Sequence, residues 1–401
     1  MLDFDTAQAR MVEAGQATDK TENCLLHEAL GRVLAETITA TVNLPPDDNS
    51  AMDGYAVRLA DFHPDQALPI QQRVYAGESP AALKPGHAIR LFTGSLIPAG
   101  ADTVVIQENC TETDNTVTIH STPQLGENVR KRGEDMAAGQ VILQAGTRLE
   151  PAELTCLAAQ GRDRISVYKR LRIGILTNGD ELVVPGQALG PAQIYNTNGP
   201  TLAALSAGMG AQVVHQIHAP DQPQAIEKAL ATLRVDCDLI LTVGGISVGE
   251  KDYVRPALEQ AGASLDLWKV RMKPGKPVAL AWLGETPVVC LPGNPVSAYV
   301  VFALMVTPLI RRMQGRSDCL PPVNTGRLNC NRPYKETRAE FLRVRAATDK
   351  QGTLLLQPYA KQGSNIISSL ADSDGLARIP PDTLTGDGAM VSYYAWHDWL
   401  R

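Results

Sequence analysis

A chain of 401 residues, 44% hydrophobic and 20% charged, has the composition of a globular protein of two or three domains at roughly 150 residues each, and this excludes a disordered one. Its 37 basic residues against 43 acidic give a net charge of −6, which argues against a dedicated nucleic-acid binder or a polybasic membrane adaptor; an anionic ligand must meet a local basic patch. Seven cysteines with no C-x-x-C pair suit neither a disulfide frame nor a structural zinc site, and fit a reducing cytoplasm best.

The opening segment MLDFDTAQARMVEAG predicts the first turns of an amphipathic helix, since its aspartates interrupt the apolar core that a signal peptide needs. Helical pieces are expected at 22–40 and 150–161, flanking a first β region at 41–139. There the runs HAIRLF, DTVVIQEN and TVTIHST alternate between Gly, Pro, Asn and Asp clusters. From 171 to 312, strand-like LRIGILT, AQVVHQI, DLILTVGG, LDLWKV, PVALAWL and TPVVCLPG are interspersed with helix-like TLAALSAGM, QAIEKALATL and YVRPALEQAG. This reads as a doubly wound α/β domain with a mainly parallel sheet. The charge-free run 286–310 is long enough to span ~30 Å of bilayer as one helix. Pro292-Gly293-Asn294-Pro295 should instead divide it into a strand and a helix, each too short to cross alone. TLLLQPY and MVSYYAW place a second β region at 326–401.

Ligands of open α/β sheets bind outside the carboxyl ends of the strands, and three glycine-bearing loops should lie there: Thr177-Asn178-Gly179-Asp180-Glu181, the stretch from Gly244 through Gly245 and Ser247 to Asp252, and Pro292 to Ser297. Glycine lets backbone N–H groups approach an anion closely. Asn294 and Pro295 could mark nothing more than a helix start. The same start would also present a positive dipole end and free N–H donors to the ligand. Gly245-Ile246-Ser247-Val248-Gly249 fits the nucleophile-elbow pattern, making a serine hydrolase using Ser247 a distant alternative, although His397 is the sole downstream histidine. Gly275-Lys276-Pro277 is no Walker A loop, and Gly208-Met209-Gly210 reads as a helix end. His215 and His218, three apart in a strand, face opposite ways and make a poor metal pair.

Lys269, Arg271 and Lys273 fall at alternate positions, so a strand would put them on one face, and a turn to Lys276 would let two ammonium groups reach one polyanion. A solvated sheet face is the plainer alternative. The first β region contributes Asp47, Asp48, Asp53, Thr93, Arg130, Lys131, Arg132, Glu134 and Asp135. Acids in glycine-bearing loops are commonly turn formers; together with threonine and arginine they look like a site for a hard cation such as Mg²⁺ and an oxyanion.

The segments PPDDNSAMDGYAV, FTGSLIPAGADTVV, VRKRGED, LTNGDELV, YNTNG, TVGGISVGEKDYV, KPGKPVAL, LPGNPVSAYV and GSNIISSL together resemble the molybdopterin molybdotransferases, the MoeA type related to the gephyrin E domain. The resemblance runs from about residue 5 to the end. It implies a discontinuous linker domain at 16–39 and 140–169, helical or extended, and a small mixed β domain at 40–139. A central doubly wound α/β molybdopterin-binding domain would occupy 1–15 and 170–320, and a β-barrel-like domain 326–401. It further implies a cytoplasmic, elongated homodimer, binding neither nucleic acid nor membrane, that works beside the adenylyltransferase of the same pathway. The implied reaction inserts molybdate into adenylylated molybdopterin, with Mg²⁺-dependent release of AMP. A tungstate-inserting relative or a non-catalytic molybdopterin-binding scaffold are the alternatives.

By motif, Asp53, Asp135, Glu181 and Asp252 match the family's functional carboxylates and are the implied metal ligands, with Asp221 as a further catalytic acid. Thr93, Arg130, Lys269, Lys273 and one of Ser368 and Ser369 match positions for molybdate or pterin. Lys276, Gly244, Gly245, Ser247, Gly293, Asn294 and Ser297 are implied to line the substrate site, and Pro292 and Pro295 to shape its turn. Either Arg338 or Arg343 is the counterpart of a family arginine. The closing SYYAWHDWLR departs from the family pattern.

Overall fold

A computed structural model describes residues 1–245 and 253–401. They form two compact units, one of Met1–Ala35, Ala145–Glu150 and Ile165–Arg401, the other of Glu36–Gln144 and Pro151–Arg164.

The first unit is built on a six-stranded sheet in the order Gln212–Ala219, Arg172–Asn178, Leu239–Val243, Thr286–Leu291, Ala279–Leu283 and Ser264–Trp268. The first four strands run parallel, Ala279–Leu283 runs against them, and Ser264–Trp268 pairs antiparallel with Ala279–Leu283. Side-chain alternation gives each face its own core. Ile173 and Ile175 pack with Leu202, Val300 and Met11 on one side, whereas Leu176 packs with Ile226, Leu230 and Leu258 on the other. Leu239–Val243 is buried along its whole length, the pattern of a strand covered by helices on both faces.

The helix after the Pro-Gly-Asn-Pro turn is longer than its sequence suggests. It runs unbroken from Pro295 to Met313, long and apolar enough to cross a membrane, yet 89% of that stretch is buried inside the protein as a core helix. Pro308 does not end it, because Phe302–Val306 opens into a π turn that accommodates the missing N–H. The carbonyl of Leu304, four residues before Pro308, accepts a hydrogen bond from Gln8 Nε2 at 2.6 Å. Gln8 lies on the opening helix Phe4–Ala14, capped by Asp3, whose carboxylate accepts from Thr6 N at 2.9 Å.

The expectation of a helix at 22–40 is overturned. Thr21–Leu25 is a strand paired with Arg164–Tyr168, Leu26–Glu28 is a single 3₁₀ turn and Ile38–Thr39 is a strand. Leu34 N donates to Thr147 O and Ala35 N to Ser166 O, so partners more than 100 residues away take the donors that a helix would use internally. The expected helix at 150–161 is present as Pro151–Ala159.

The cation stripe is overturned as well. The edge strand ends at Trp268, Lys269 takes a left-handed φ of 61°, and the next short strand, Met272–Lys273, pairs with Ala339–Thr348 in a different sheet. That second sheet runs Met272–Lys273, Ala339–Thr348, Leu354–Pro358, Asn324–Leu328, Met390–Ala395, Gly375–Ile379. Ala339–Thr348 pairs also with Gly375–Ile379, closing five of the strands on themselves. The divergent tail completes this closure: Tyr394 stacks edge-on against Trp399 at 5.0 Å, and both are buried.

In the second unit a six-stranded sheet runs Thr103–Ile106, Gly54–Val57, Ala88–Leu91, Ala67–Val74, Thr116–Ile119, Cys110–Thr113. Gly54 is required by packing, since a Cβ there would stand 2.1 Å from Val105 O. All seven cysteines are free.

Candidate functional site

The carboxyl ends of three parallel strands open into a cavity of about 550 Å³, lined by Asn178, Glu181, Asn198, Asp221, the glycines Gly244 and Gly245, and the turn Pro292–Pro295. Hydrogen bonds tie its loops together. Asp221 accepts from Asn178 Nδ2 at 2.9 Å and from Asp180 N at 3.3 Å, while its own N–H donates to Asp180 Oδ1 at 3.0 Å. Asn198 Nδ2 donates to Gly293 O at 2.7 Å, joining the start of one helix to the turn before another. Gly179 leaves room for the Glu181 carboxylate, which a Cβ at that position would meet at 2.6 Å.

At the helix start, Asn294 holds the N-cap position but its side chain makes no capping bond. Nor are all the first N–H groups free, because Val296 N donates to Ser364 O at 3.3 Å. Ser364 belongs to the segment GSNIISSL, so this loop of the barrel reaches the helix start beside the cavity. Ser297, by contrast, is 4% exposed and does not line the cavity.

The expected lysines do not themselves line this cavity, although Pro277, next to Lys276, does. Lys273 Nζ lies 2.8 Å from Glu336 and 3.1 Å from Glu340. Burial alone would lower its pKa, but the hydrogen bonds to Glu336 and Glu340 carry it above its ordinary value. Arg271 is occupied by Asp382 at 2.6 Å, and Lys276 is exposed. None of Lys269, Lys273 and Lys276 is among the cavity's lining residues.

The two open serine and arginine alternatives differ in environment. Ser369 is fully buried, accepts from Arg343 Nε at 3.0 Å and donates to Ile366 O at 2.6 Å. Arg343 is 1% exposed, and burial pushes its pKa down to about 10. Its Nη2 also donates to Gly363 O at 3.0 Å, so the Arg343–Ser369 pair braces the GSNIISSL loop from within. Ser368 is exposed beside Tyr359, and Arg338 donates to Met272 O at 3.3 Å.

The remaining candidates lie in the second unit. Asp53 Oδ1 accepts from both the N–H and the hydroxyl of Thr93 at 2.7 Å, and these bonds, the hydroxyl's foremost, hold its pKa below the ordinary carboxylate value. Asp48 is held low in the same way by Lys131 Nζ at 2.9 Å and Arg132 N at 2.8 Å. Arg130 and Asp135 are exposed. Ser247 and Asp252 lie outside the described residues. Among the described residues no group of three or more His, Cys, Asp and Glu side chains is placed to hold a metal ion. His215 pairs with Asp236 at 2.8 Å and His218 approaches Thr177 at 3.4 Å.

Two asparagines of the cavity were given no role of their own from sequence. Asn178 and Asn198 sit inside the quoted segments LTNGDELV and YNTNG, where an asparagine next to glycine reads equally as a turn former.

A doubly wound sheet with a ligand cavity at its carboxyl edge, joined to a closed β domain, defines a multidomain ligand-binding protein of α/β and β parts. Its regions match three family descriptions: "MoeA N-terminal region (domain I and II)" over residues 2–161, "Probable molybdopterin binding domain" over 174–312 and "MoeA C-terminal region (domain IV)" over 325–396. The chain belongs to the MoeA family. It is 37% identical over 377 residues to the molybdopterin molybdenumtransferase of Haemophilus influenzae, covering 93% of each chain. The protein of the same name from a Nostoc species is 39% identical over 312 residues, 76% of this chain and 72% of that one. A crystal structure of a molybdopterin biosynthesis MoeA protein from Pyrococcus horikoshii superposes with a TM-score of 0.83 at 27% identity, covering 98% of this chain and all of that one.

Proposed function

We propose that this chain is a transferase of molybdenum-cofactor synthesis that inserts molybdate into the dithiolene of adenylylated molybdopterin and releases AMP. The observation that carries the reading is the cavity of about 550 Å³ at the carboxyl edge of the parallel sheet, with Glu181 and Asp221 on its wall, inside the region matched as a probable molybdopterin binding domain. The start of the helix at Pro295 adds a positive dipole end to the same wall, favourable to a phosphate. The relatives that match over most of the chain carry the transferase name.

Mg²⁺ is part of the proposal. This ion is commonly held by one or two carboxylates together with substrate phosphates. Glu181 and Asp221 supply such a pair on the cavity wall, with Asp252 a further proposed ligand; the family resemblance implies metal binding by Asp53 and Asp135 as well. Bound there, the ion would neutralise the charge developing on the leaving phosphate. Glu181, folded back over Gly179, and Asp221, fixed by Asn178, would hold their carboxylates in place for it. A cytoplasmic homodimer supplied by a molybdopterin adenylyltransferase completes the proposal; the family resemblance supports it, and the unpaired cysteines support the compartment.

The test is to incubate the purified protein with adenylylated molybdopterin, Mg²⁺ and either molybdate or tungstate, and to follow AMP. Release that requires both Mg²⁺ and molybdate supports the proposal. Release with tungstate only identifies the re-specialised relative, and binding without release identifies a scaffold.

A further inference from the structure

Asn178 is 7% exposed and lines the cavity. The hydrogen bond from its Nδ2 to Asp221 fixes the orientation of the amide, because a flip would set the amide oxygen against a carboxylate, acceptor against acceptor. Oδ1 is therefore the atom left over. It is buried and, among the described residues, has no hydrogen-bond partner. Gly244 and Gly245 pass close beside it, and a Cβ on either would come within 3.0 Å and 3.2 Å of that oxygen. Buried acceptors are ordinarily paired, so a carbonyl left unpaired on a residue that lines a cavity marks a missing donor.

We infer that Asn178 Oδ1 accepts a hydrogen bond from an N–H or O–H of the nucleoside or pterin part of the substrate, making Asn178 a specificity-determining residue. Ionised phosphates and molybdate present acceptors only and leave this oxygen unsatisfied. Adenine and pterin amino groups, the pterin ring N–H and the ribose hydroxyls all carry the required donor. A ligand without one at that point leaves the oxygen desolvated and unpaired, so the site discriminates by hydrogen bonding rather than by fit alone. The inference rests on the proposed function for the identity of the ligand.

Calorimetry on the wild type, Asn178→Leu and Asn178→Ser measures the affinities for AMP, purine riboside 5′-monophosphate, 2′-deoxy-AMP, 3′-deoxy-AMP and molybdopterin. Removing the acceptor should weaken binding of AMP or of molybdopterin by roughly ten- to hundredfold. A loss confined to AMP, with one analogue lacking a donor binding wild type and variant alike, places the donor on the nucleoside. A loss confined to molybdopterin places it on the pterin. The serine variant, which leaves room for water, provides the same readout where the leucine variant does not fold. Unchanged affinity for both ligands in a folded variant overturns the inference alone. Failure of the wild type to bind either ligand overturns the proposed function and this inference with it.

Discussion

Lys273 Nζ lies 2.8 Å from Glu336 Oε2 and 3.1 Å from Glu340 Oε1. The lysine is thus a bridge between the α/β domain and the barrel, and its charge is already matched. Glu336 is held below its ordinary value of 4.5, chiefly by Lys273, so its contribution is present above that pH and is lost as pH falls through the folded value. Lys273 is raised above 10.5; its contribution is present below that pH and is lost as pH rises through the folded value. Lys273→Gln should cost about 1 kcal/mol near neutrality, a figure discounted for partial exposure. Melting temperatures measured from pH 3 to 8 should show a shallower acid limb in the variant; parallel curves for variant and wild type would refute the bridge.

Gln8 supplies a donor to the Leu304 carbonyl, whose α-helical partner is missing at Pro308. Gln8→Ala and, above the titration of the new carboxyl, Gln8→Glu should each lose about 1–3 kcal/mol in urea unfolding, because neither alanine nor an ionised carboxylate can donate and the carbonyl is buried. Equal stability in all three proteins would show that the π turn satisfies the helix unaided.

Thr93 holds the Asp53 carboxylate through its hydroxyl and its N–H. Thr93→Val removes the larger of these influences and keeps the N–H, so the Asp53 pKa should move up toward its ordinary value. Carboxyl-carbon NMR titration of Asp53 provides the readout, and an unmoved titration would assign the effect to the backbone.

Glu181 is the exposed carboxylate on the cavity wall. On the proposed function, Glu181→Gln should slow AMP release by on the order of a hundredfold or more, while AMP still binds. A compensating rise in rate at high Mg²⁺ would identify the loss as one of metal affinity. Turnover equal to wild type at low Mg²⁺ would remove Glu181 from the reaction.

Much of the α/β domain was legible because its information is local. The runs around Ile173, Leu241 and Val289 mark buried strands, and the loops that follow them reach the ligand edge wherever the sheet is parallel. MDGYAV also showed its glycine, though not that Val105 is what crowds Gly54. Most of the failures involve partners distant in sequence. Nothing near Leu34 announces Thr147 or Ser166 as its neighbours, and nothing near Lys273 announces Glu336 or Glu340. The left-handed turn at Lys269 breaks an alternation that the residue types alone support. Asn178 was placed in a ligand loop but given no role, because its unpaired oxygen exists only where the distant Asp221 claims the other end of its amide.

The strand Met272–Lys273 belongs to the chain of the α/β domain yet hydrogen-bonds into the barrel's sheet. Phe4 of the opening helix packs against Phe341 of that barrel at 4.7 Å, and Arg378 grips Asp5 through two bonds of 2.7 and 2.6 Å. A chimera that exchanged only residues after 320 for those of a relative would leave half-matched seams, among them those at Met272, Phe4 and Asp5. Grafting the barrel onto another member of the family therefore means moving the opening helix and the 272–273 strand with it, as a single cassette assembled from three separate stretches of chain.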